Sequence, residues 1–577
     1  MQVIIHNRNY NSWEYTQDGV KVDLPHLIPS KHKLFHDDII GYKPAKNSIR
    51  AADLHSSGFV TNNDSNPSTE GADLNLHWFK DDVLTVIQSP IKTKILAGVL
   101  ILGKTYGRFG KRLLYKCIPD NKFLPVFLVP YNVDVGFSKV IKNKYIVFRF
   151  SRWLEDHPHG EITETLGDVD SLDAFNEYQL HRRGLHLSLT PFAKTARVIL
   201  KDSDPIQTIL NKYPVEDLRP INHIFTIDPA NCTDFDDAFS ASEENGIATV
   251  NVYIANVFVW LETYGLWEHM TDRVSTIYLP DKKRPMLPPL LSDDLCSLKE
   301  GADRFAFMMS VKYDMQTLEL IDNPVFKNVL VHISKNYEYE DKKLEKNPAY
   351  KVLRTLAKTE DSHEVVAFWM IQMNAMSGEY LKQRSKGIFR ISTLQEMTPK
   401  ETTPTISQAV LHWLGNHSSS AIYSTVSAPH TQLGVNSYVH ITSPIRRLVD
   451  ILNQIQMNTE ISESCQAFLD KWVQKLNDIN RATKEIRKTQ TDCELLALTS
   501  KNNFSENNEY SGILFDRTLV SGKYEYAVYI EELKMFSRIK MEECVENYTR
   551  SQFRIFVFED EDRLCKKIRL RELVVPL

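Results

Sequence analysis

Four aspartates, Asp228, Asp234, Asp236 and Asp237, fall within ten residues of the stretch FTIDPANCTDFDDAF, and apolar residues surround them. Four carboxylates held that close repel one another strongly, and a divalent cation offsets the repulsion well. Hard oxygen donors favour Mg²⁺, with Mn²⁺ able to substitute. Such ions activate a water and stabilise the leaving oxygen of a phosphodiester. An arbitrary Asp-rich run is more often a solvated acidic loop. Here Phe225, Ile227, Phe235, Ala238 and Phe239 anchor the segment in a core. A calcium-binding EF-hand loop is excluded. Counted from Asp228, its third position is Ala230 and its sixth, where glycine is needed, is Thr233.

The chain has 577 residues, too many for one core, so several domains are expected. Hydrophobic residues at 42% and charged residues at 25% fit a globular protein. No apolar run approaches the roughly 20 residues that span a bilayer. The start, MQVIIHNRNYNSW, lacks the charged, apolar and small-residue blocks of a secretory signal. Seven cysteines, odd in number and spread out, form no CxxC pair. Neither a zinc ribbon nor a disulfide framework follows, and a reducing compartment, cytosol or nucleus, is expected. A net charge of −5 argues against indiscriminate coating of nucleic acid, but leaves local basic patches open.

Residues 1–95 read as short strands and loops, with a polar, turn-rich loop at 61–71. LAGVLILGK and YIVFRFSRW read as strands, and Gly107 and Gly110 mark a hairpin. Residues 205–220 read as a linker. IATVNVYIANVFVW reads as one strand, SHEVVAFWMIQMNAMSGEYLKQR as a long buried helix, and PTISQAVLHWL as helical. Residues 463–500 lack Gly and Pro and read as one long helix or a helix pair. YSGILF, YEYAVYIEEL, RIFVF and KKIRLREL read as the strands of a last small barrel.

The aspartate spacing resembles the signature of the RNase II superfamily. Three further segments resemble that family in its order: TIYLPDKKRPMLPPLLSDDLCSL (276–298), GEYLKQRSKGIFRI (378–391) and HTQLGVNSYVHITSPIRRLVDIL (430–452). GRFGKRLLYKCIPDNKFLPVFLVP and RWLEDHPHGEITETLG resemble a cold-shock-type domain of the eukaryotic, exosome-type branch. The resemblance implies a multidomain α+β protein: cold-shock-like OB domains at 1–95 and 96–204, an RNB catalytic domain at 205–503, and an S1-like OB domain at 504–577. It implies an Mg²⁺-dependent hydrolase that degrades single-stranded RNA from the 3′ end and releases nucleoside 5′-monophosphates. An RNA helicase or an RNA-decay complex is the kind of partner implied, and no membrane. The chain leaves no room for the endonuclease-type domain of the eukaryotic exosome nuclease, so no endonuclease activity is expected.

Carried over residue by residue, Asp228, Asp234, Asp236 and Asp237 would hold the metal, and Asp236 and Asp237 would act in catalysis. Arg446 and Arg447 would grip the scissile phosphate, with Ser443 and Arg390 also on the RNA. Tyr278 would stack on the 3′-terminal base, unless it is a core aromatic. Half of a structural ion pair is the alternative for Arg446, but its place after a Ser-Pro turn favours anion binding. His430 and His440 receive no catalytic role. The chain departs from the family at Tyr253, Asn256, Phe368, Leu448, Gln454 and Ile455.

Lys104, Arg108, Lys111, Arg112 and Lys116 interleave with Tyr106, Phe109 and Tyr115. Cations tracking phosphates and rings stacking on bases are what single-strand binding needs, whereas a solvated hairpin is the plainer reading. Arg563, Lys566, Lys567, Arg569 and Arg571 form a second basic stripe, and Tyr524, Tyr526 and Tyr529 divide between the two faces of one strand. Two alternatives stand beside the exoribonuclease. One is an RNA-binding regulator on a degenerate nuclease scaffold; the weaker is a nuclease acting mainly on DNA.

Overall fold

The computed structural model describes residues 1–43, 83–133, 141–201, 204–220, 223–392, 410, 421–430, 433–500, 508–520, 522–560 and 565–573. The chain divides into two compact units, Met1–Arg182 with Glu559–Lys566, and Arg183–Phe558 with Lys567–Leu577. The expected loop at 61–71, and the expected helix in PTISQAVLHWL apart from Val410, lie outside the described residues.

In the first unit, β1 (Gln2–Ile5), β2 (Trp13–Gln17), β3 (Val20–Val22), β4 (Ile39–Lys43) and β5 (Val83–Gln88) form a sheet in the order β3-β2-β1-β4-β5. Next, β6 (Ile95–Phe109), β7 (Arg112–Pro119), β8 (Phe127–Tyr131), β9 (Lys144–Arg152) and β10 (His159–Asp168) close into a barrel. Leu100, Cys117, Phe127, Val129, Ile146 and Phe148 fill it, none exposed to solvent. Gly110, at φ 60°, makes the turn of the β6–β7 hairpin. The helix Leu172–Arg182 then stacks Tyr178 on Tyr145, ring centroids 4.3 Å apart.

The second unit centres on a six-stranded sheet. Its first strands are β11 (Glu216–Asp217), β12 (Ile224–Asp228), β13 (Asp237–Glu244) and β14 (Ile247–Ala255). A two-stranded ribbon, β15 (Ile277–Tyr278) and β16 (Lys283–Arg284), precedes the long strands β17 (Asp303–Asp314) and β18 (Val325–Glu338). The order is β11-β18-β12-β13-β14-β17, and β17 also pairs with β18. Alternating apolar residues of β14 (Ala248, Val250, Val252, Ile254) pack with Trp369 and Met373 of the helix Ser362–Gln383. Asp361 caps that helix, accepting from His363 N at 2.7 Å. No described helix is long and apolar enough to cross a membrane.

The expected strand through IATVNVYIANVFVW is corrected here. It stops at Ala255, and Val257–Thr263 is helical. Asn256 causes the switch: its Oδ1 accepts from Val259 N at 3.2 Å and caps the new helix. The expected linker at 205–220 holds a helix, Pro205–Lys212, with Asp204 as its cap and proline in its first turn. Residues 463–500 form the helix pair Glu463–Gln474 and Leu476–Thr499.

β19 (Phe389–Ser392) and β20 (Ala421–Ser424) form a separate antiparallel pair. A final five-stranded sheet contains β21 (Tyr510–Val520), β22 (Lys523–Ile530), β23 (Met535–Met541), β24 (Thr549–Asp560) and β25 (Cys565–Leu573). β23, MFSRIKM, is a strand that the sequence reading passed over. Both faces of β22 are covered. Tyr526 lies in a core with Leu514 and Phe553, while Tyr529 packs with Phe515 and Phe536 on the other side.

Candidate active site

The aspartates gather at one end of two neighbouring central strands. Asp228 ends β12, Asp237 begins β13, and these strands are antiparallel neighbours with Phe225 opposite Phe239. The connecting loop brings Asp234 and Asp236 back to the same end. Ser297 staples that loop: its Oγ accepts from Phe235 N and donates to Thr233 O, each at 3.0 Å. Leu298 N adds a bond to Phe235 O at 3.0 Å. The Cys296–Leu298 segment thus acts by holding the aspartate loop, a role that the sequence reading did not assign.

Asp236 is fully engaged. Its Oδ1 accepts from Ile445 N and its Oδ2 from Arg446 Nε, both at 3.0 Å. The Asp236 side chain is 4% exposed and the Arg446 side chain 46%, so the guanidinium reaches outward from a buried anchor. Arg446 also donates to Ser443 Oγ at 3.0 Å. Asp450, in the first turn of the helix Leu448–Met457, braces the segment from behind. It accepts from Ser443 N at 2.7 Å and from Arg447 at 2.9 Å. Arg447 therefore spends its charge on a buried carboxylate. Gly378 lets this segment approach the long helix, because a Cβ there would lie 3.1 Å from Tyr438 N.

Asp234 has different partners. Lys283 Nζ reaches its Oδ1 and Tyr278 Oη its Oδ2, both at 3.1 Å. Tyr278 is 38% exposed, so its ring keeps an open face. Asp228 and Asp237 differ again. Asp228 accepts from Cys232 Sγ at 3.8 Å, but its Oδ2 and that of Asp237 are buried with no hydrogen-bond partner among the described residues.

Electrostatics follow this division. Burial pushes Asp228 up to about 6 and Asp236 up to about 7, with Arg446 opposing both. Burial, then the charges of Asp228 and Asp236, raise Asp237 well above the carboxylate range. Two buried carboxylate oxygens without donors suit a hard cation. Among the described residues no three acidic, His or Cys side chains are grouped closely enough to share one ion. The expected four-carboxylate ligand set is accordingly split: Arg446 and Lys283 occupy Asp236 and Asp234, and Asp228 and Asp237 keep open oxygens.

The other expected contact residues lie elsewhere. Arg390 is buried, donates through its backbone to Tyr438 O, and lies over the Tyr423 ring at 4.8 Å. Lys104, Arg108, Lys111 and Arg112 are exposed on the β6–β7 hairpin of the first unit. Tyr106 lies under Lys116 at 4.4 Å and Phe109 under Arg152 at 4.5 Å. Tyr115, expected beside them, is a buried core residue. In the C-terminal stripe, Arg569 and Arg571 are exposed; Arg563 and the side chains of Lys566 and Lys567 lie outside the described residues.

The family departures fall on structural positions. Asn256, Leu448, Gln454 and Ile455 are almost completely buried, and Gln454 Nε2 donates to Ala255 O at 2.8 Å. Tyr253 shares a 3.0 Å bond with Ser240 Oγ. Phe368 packs edge-on to Trp369, centroids 5.2 Å apart.

Comparison with known proteins converges on one family. The RNB domain matches residues 215–349 and 330–463. DIS3-like exonuclease 2 of Schizosaccharomyces pombe is 30% identical over 217 residues, 35% of this chain and 23% of that protein. The match thus spans about a quarter of that relative's length. RNase R of Mycoplasma genitalium, solved with ribose-methylated single-stranded RNA, superposes with a TM-score of 0.64 at 15% identity, over 93% of this chain and 95% of that one. Yeast Ssd1, described as a pseudonuclease, superposes with a TM-score of 0.52 at 15% identity, over 82% of this chain and 68% of that one. The fold is therefore the multidomain α+β fold of RNase R, a fold also found in a pseudonuclease.

Proposed function

We propose that this chain, which carries the RNB domain of the RNase II superfamily, is a metal-dependent exoribonuclease that hydrolyses single-stranded RNA from its 3′ end. Its products are nucleoside 5′-monophosphates. The supporting observation is the pair of buried oxygens, Asp228 Oδ2 and Asp237 Oδ2, without hydrogen-bond partners among the described residues, at the same strand ends as Asp236 and its Arg446. Asp228 and Asp237 would hold Mg²⁺, which when bound supplies positive charge to the scissile phosphate and to an attacking water.

The chain's own groups do the rest. Asp236, locked by Ile445 N–H and Arg446, fixes the guanidinium in place. The outward face of Arg446 meets phosphate charge as it develops, a preorganised arrangement that needs no reorientation during reaction. The open face of Tyr278 takes the last base by stacking. The exposed cations and half-exposed rings of the β6–β7 hairpin bind single-stranded RNA without regard to sequence. On this reading residues 1–95 and 96–204 are cold-shock-like modules and 504–577 is S1-like. Mn²⁺ substitutes for Mg²⁺. An RNA helicase or a decay complex is the partner class, in cytosol or nucleus.

One observation favours a second reading, an RNA-binding regulator without catalysis. Asp234 and Asp236 both spend their oxygens on protein donors. A time course with 5′-labelled single-stranded RNA separates the two. The expected result is a short 5′ fragment plus mononucleotides with Mg²⁺, and intact RNA with EDTA. Asp236→Asn binds RNA but does not cut it. RNA that is bound yet intact under both Mg²⁺ and Mn²⁺ establishes the regulator.

A further inference from the structure

Tyr278 and Lys283 are directly opposite one another across the β15–β16 ribbon. A registered pair projects both side chains from the same face. Here both converge on one carboxylate, Tyr278 Oη on Asp234 Oδ2 and Lys283 Nζ on Asp234 Oδ1, each at 3.1 Å. Lys283 Nζ also donates to Thr233 Oγ1 at 2.6 Å and to Asp293 Oδ1 at 3.0 Å. The ammonium thereby uses all three of its donors. The ribbon is itself braced: Arg284 donates to Asp281 at 2.6 and 2.7 Å across its turn. Met286 N donates to Thr276 Oγ1 at 3.0 Å.

The consequence is electrostatic. Asp234 accepts from protein donors through both oxygens, so it offers a hard cation little. A fixed positive charge about 3 Å away also repels a divalent ion. Asp293 adds a second carboxylate to the same ammonium, so Lys283 sits where a mobile cation would otherwise balance two anions. Among the described residues no lysine or arginine is hydrogen-bonded to Asp228 or Asp237, and Arg446 acts on both only from farther off.

Resting on the exoribonuclease reading, we propose that Lys283 is a tethered cation that removes Asp234 from the metal-ligand set, so that the site carries one divalent ion, on Asp228 and Asp237. Lys283 is in this sense a positioning residue. It tunes the metal stoichiometry and keeps Tyr278 and the Asp234 loop in register with the ribbon.

The test is Mn²⁺ binding to the full chain, read by electron paramagnetic resonance of the free ion, without RNA. Wild type binds one Mn²⁺. Asp237→Asn and Asp228→Asn each weaken it by roughly 10-fold or more, while Asp234→Asn leaves it unchanged. Lys283→Met tightens Mn²⁺ binding and makes Asp234 matter, so that adding Asp234→Asn to Lys283→Met now weakens binding. Lys283→Arg, which keeps the charge, behaves as wild type. Thermal melts confirm that each variant is folded. Two results overturn the proposal alone: Asp234→Asn weakening Mn²⁺ as much as Asp237→Asn with Lys283 in place, or Lys283→Met leaving binding unchanged or looser. No Mn²⁺ binding by wild type at millimolar concentrations would overturn the metal-dependent reading along with it.

Discussion

Arg446 ties two partners together with one guanidinium, Asp236 through Nε and Ser443 Oγ through a terminal nitrogen, each at 3.0 Å. A lysine keeps the charge but cannot reproduce that fork. Arg446→Lys is therefore expected to slow single-turnover RNA hydrolysis by about 100-fold, with RNA affinity changed far less. Equal losses in affinity and rate would assign Arg446 to binding instead. Asp236, Asp237 and Arg446 stand out in the sequence because their residue types fall in short, ordered motifs, and the structure brings Asp236 and Arg446 to 3.0 Å. Lys283 and Ser297 do not. Their positions are set by a ribbon register and by a staple to a loop more than 60 residues away, neither of which composition or periodicity encodes. Arg447 was readable as a cation but not as one committed to Asp450, which lies on the following helix.

At the scale of elements, long periodic segments were legible and their ends were not. The helix Ser362–Gln383 buries Val365, Val366, Trp369 and Met373 on one stripe and β14 alternates over Ile247–Val252, whereas β9 departs from its expected alternation because Tyr145–Phe148 are buried on both faces. The run through Asn256 misled because VFVW is as apolar as the strand before it, and one capping side chain decides where the strand stops. Asn256 has a further tie: its Nδ2 donates to Asn328 Oδ1, and Asn328 donates on to Asn458, both at 2.8 Å. Asn256→Ala removes the cap and unpairs that chain. The expected cost is about 1–2 kcal/mol, read as a lower urea midpoint with an unchanged slope. Asn256→Ser, which restores a capping oxygen, should recover part of it. A wild-type midpoint in Asn256→Ala would mean that packing, not the cap, ends the strand. This departure from the family pattern is thus a matter of folding, as is Phe368, which lies against Trp369.

For the molecule as a whole, pH acts on stability in two opposing directions, and their separation is testable. Asp228 and Asp236, pushed up to about 6 and about 7, bind protons in the folded state that the unfolded chain releases, so they favour folding as pH falls through that range. His430 works the other way. It is 2% exposed, and burial, followed by the nearby Arg390 charge, lowers it to about 4. His440, bonded to Tyr423 Oη at 2.7 Å, is held well below its usual range by burial and by Arg447 and Arg390. An imidazole in the unfolded chain titrates near about 6.5. Between that pH and about 4 the unfolded state takes up a proton that folded His430 refuses. The His430 contribution is thus fully present above about 6.5 and is lost as pH falls towards 4. The carboxylates mask this in wild type alone, but they cancel in a difference. Urea midpoints of wild type and His430→Gln, measured in EDTA at pH 7.5 and pH 5, are expected to diverge at the higher pH and converge at the lower, with wild type losing more stability on acidification. A parallel loss in both proteins would show that His430 accepts its proton while folded, and would move the acid sensitivity of this fold to His440 and its arginines.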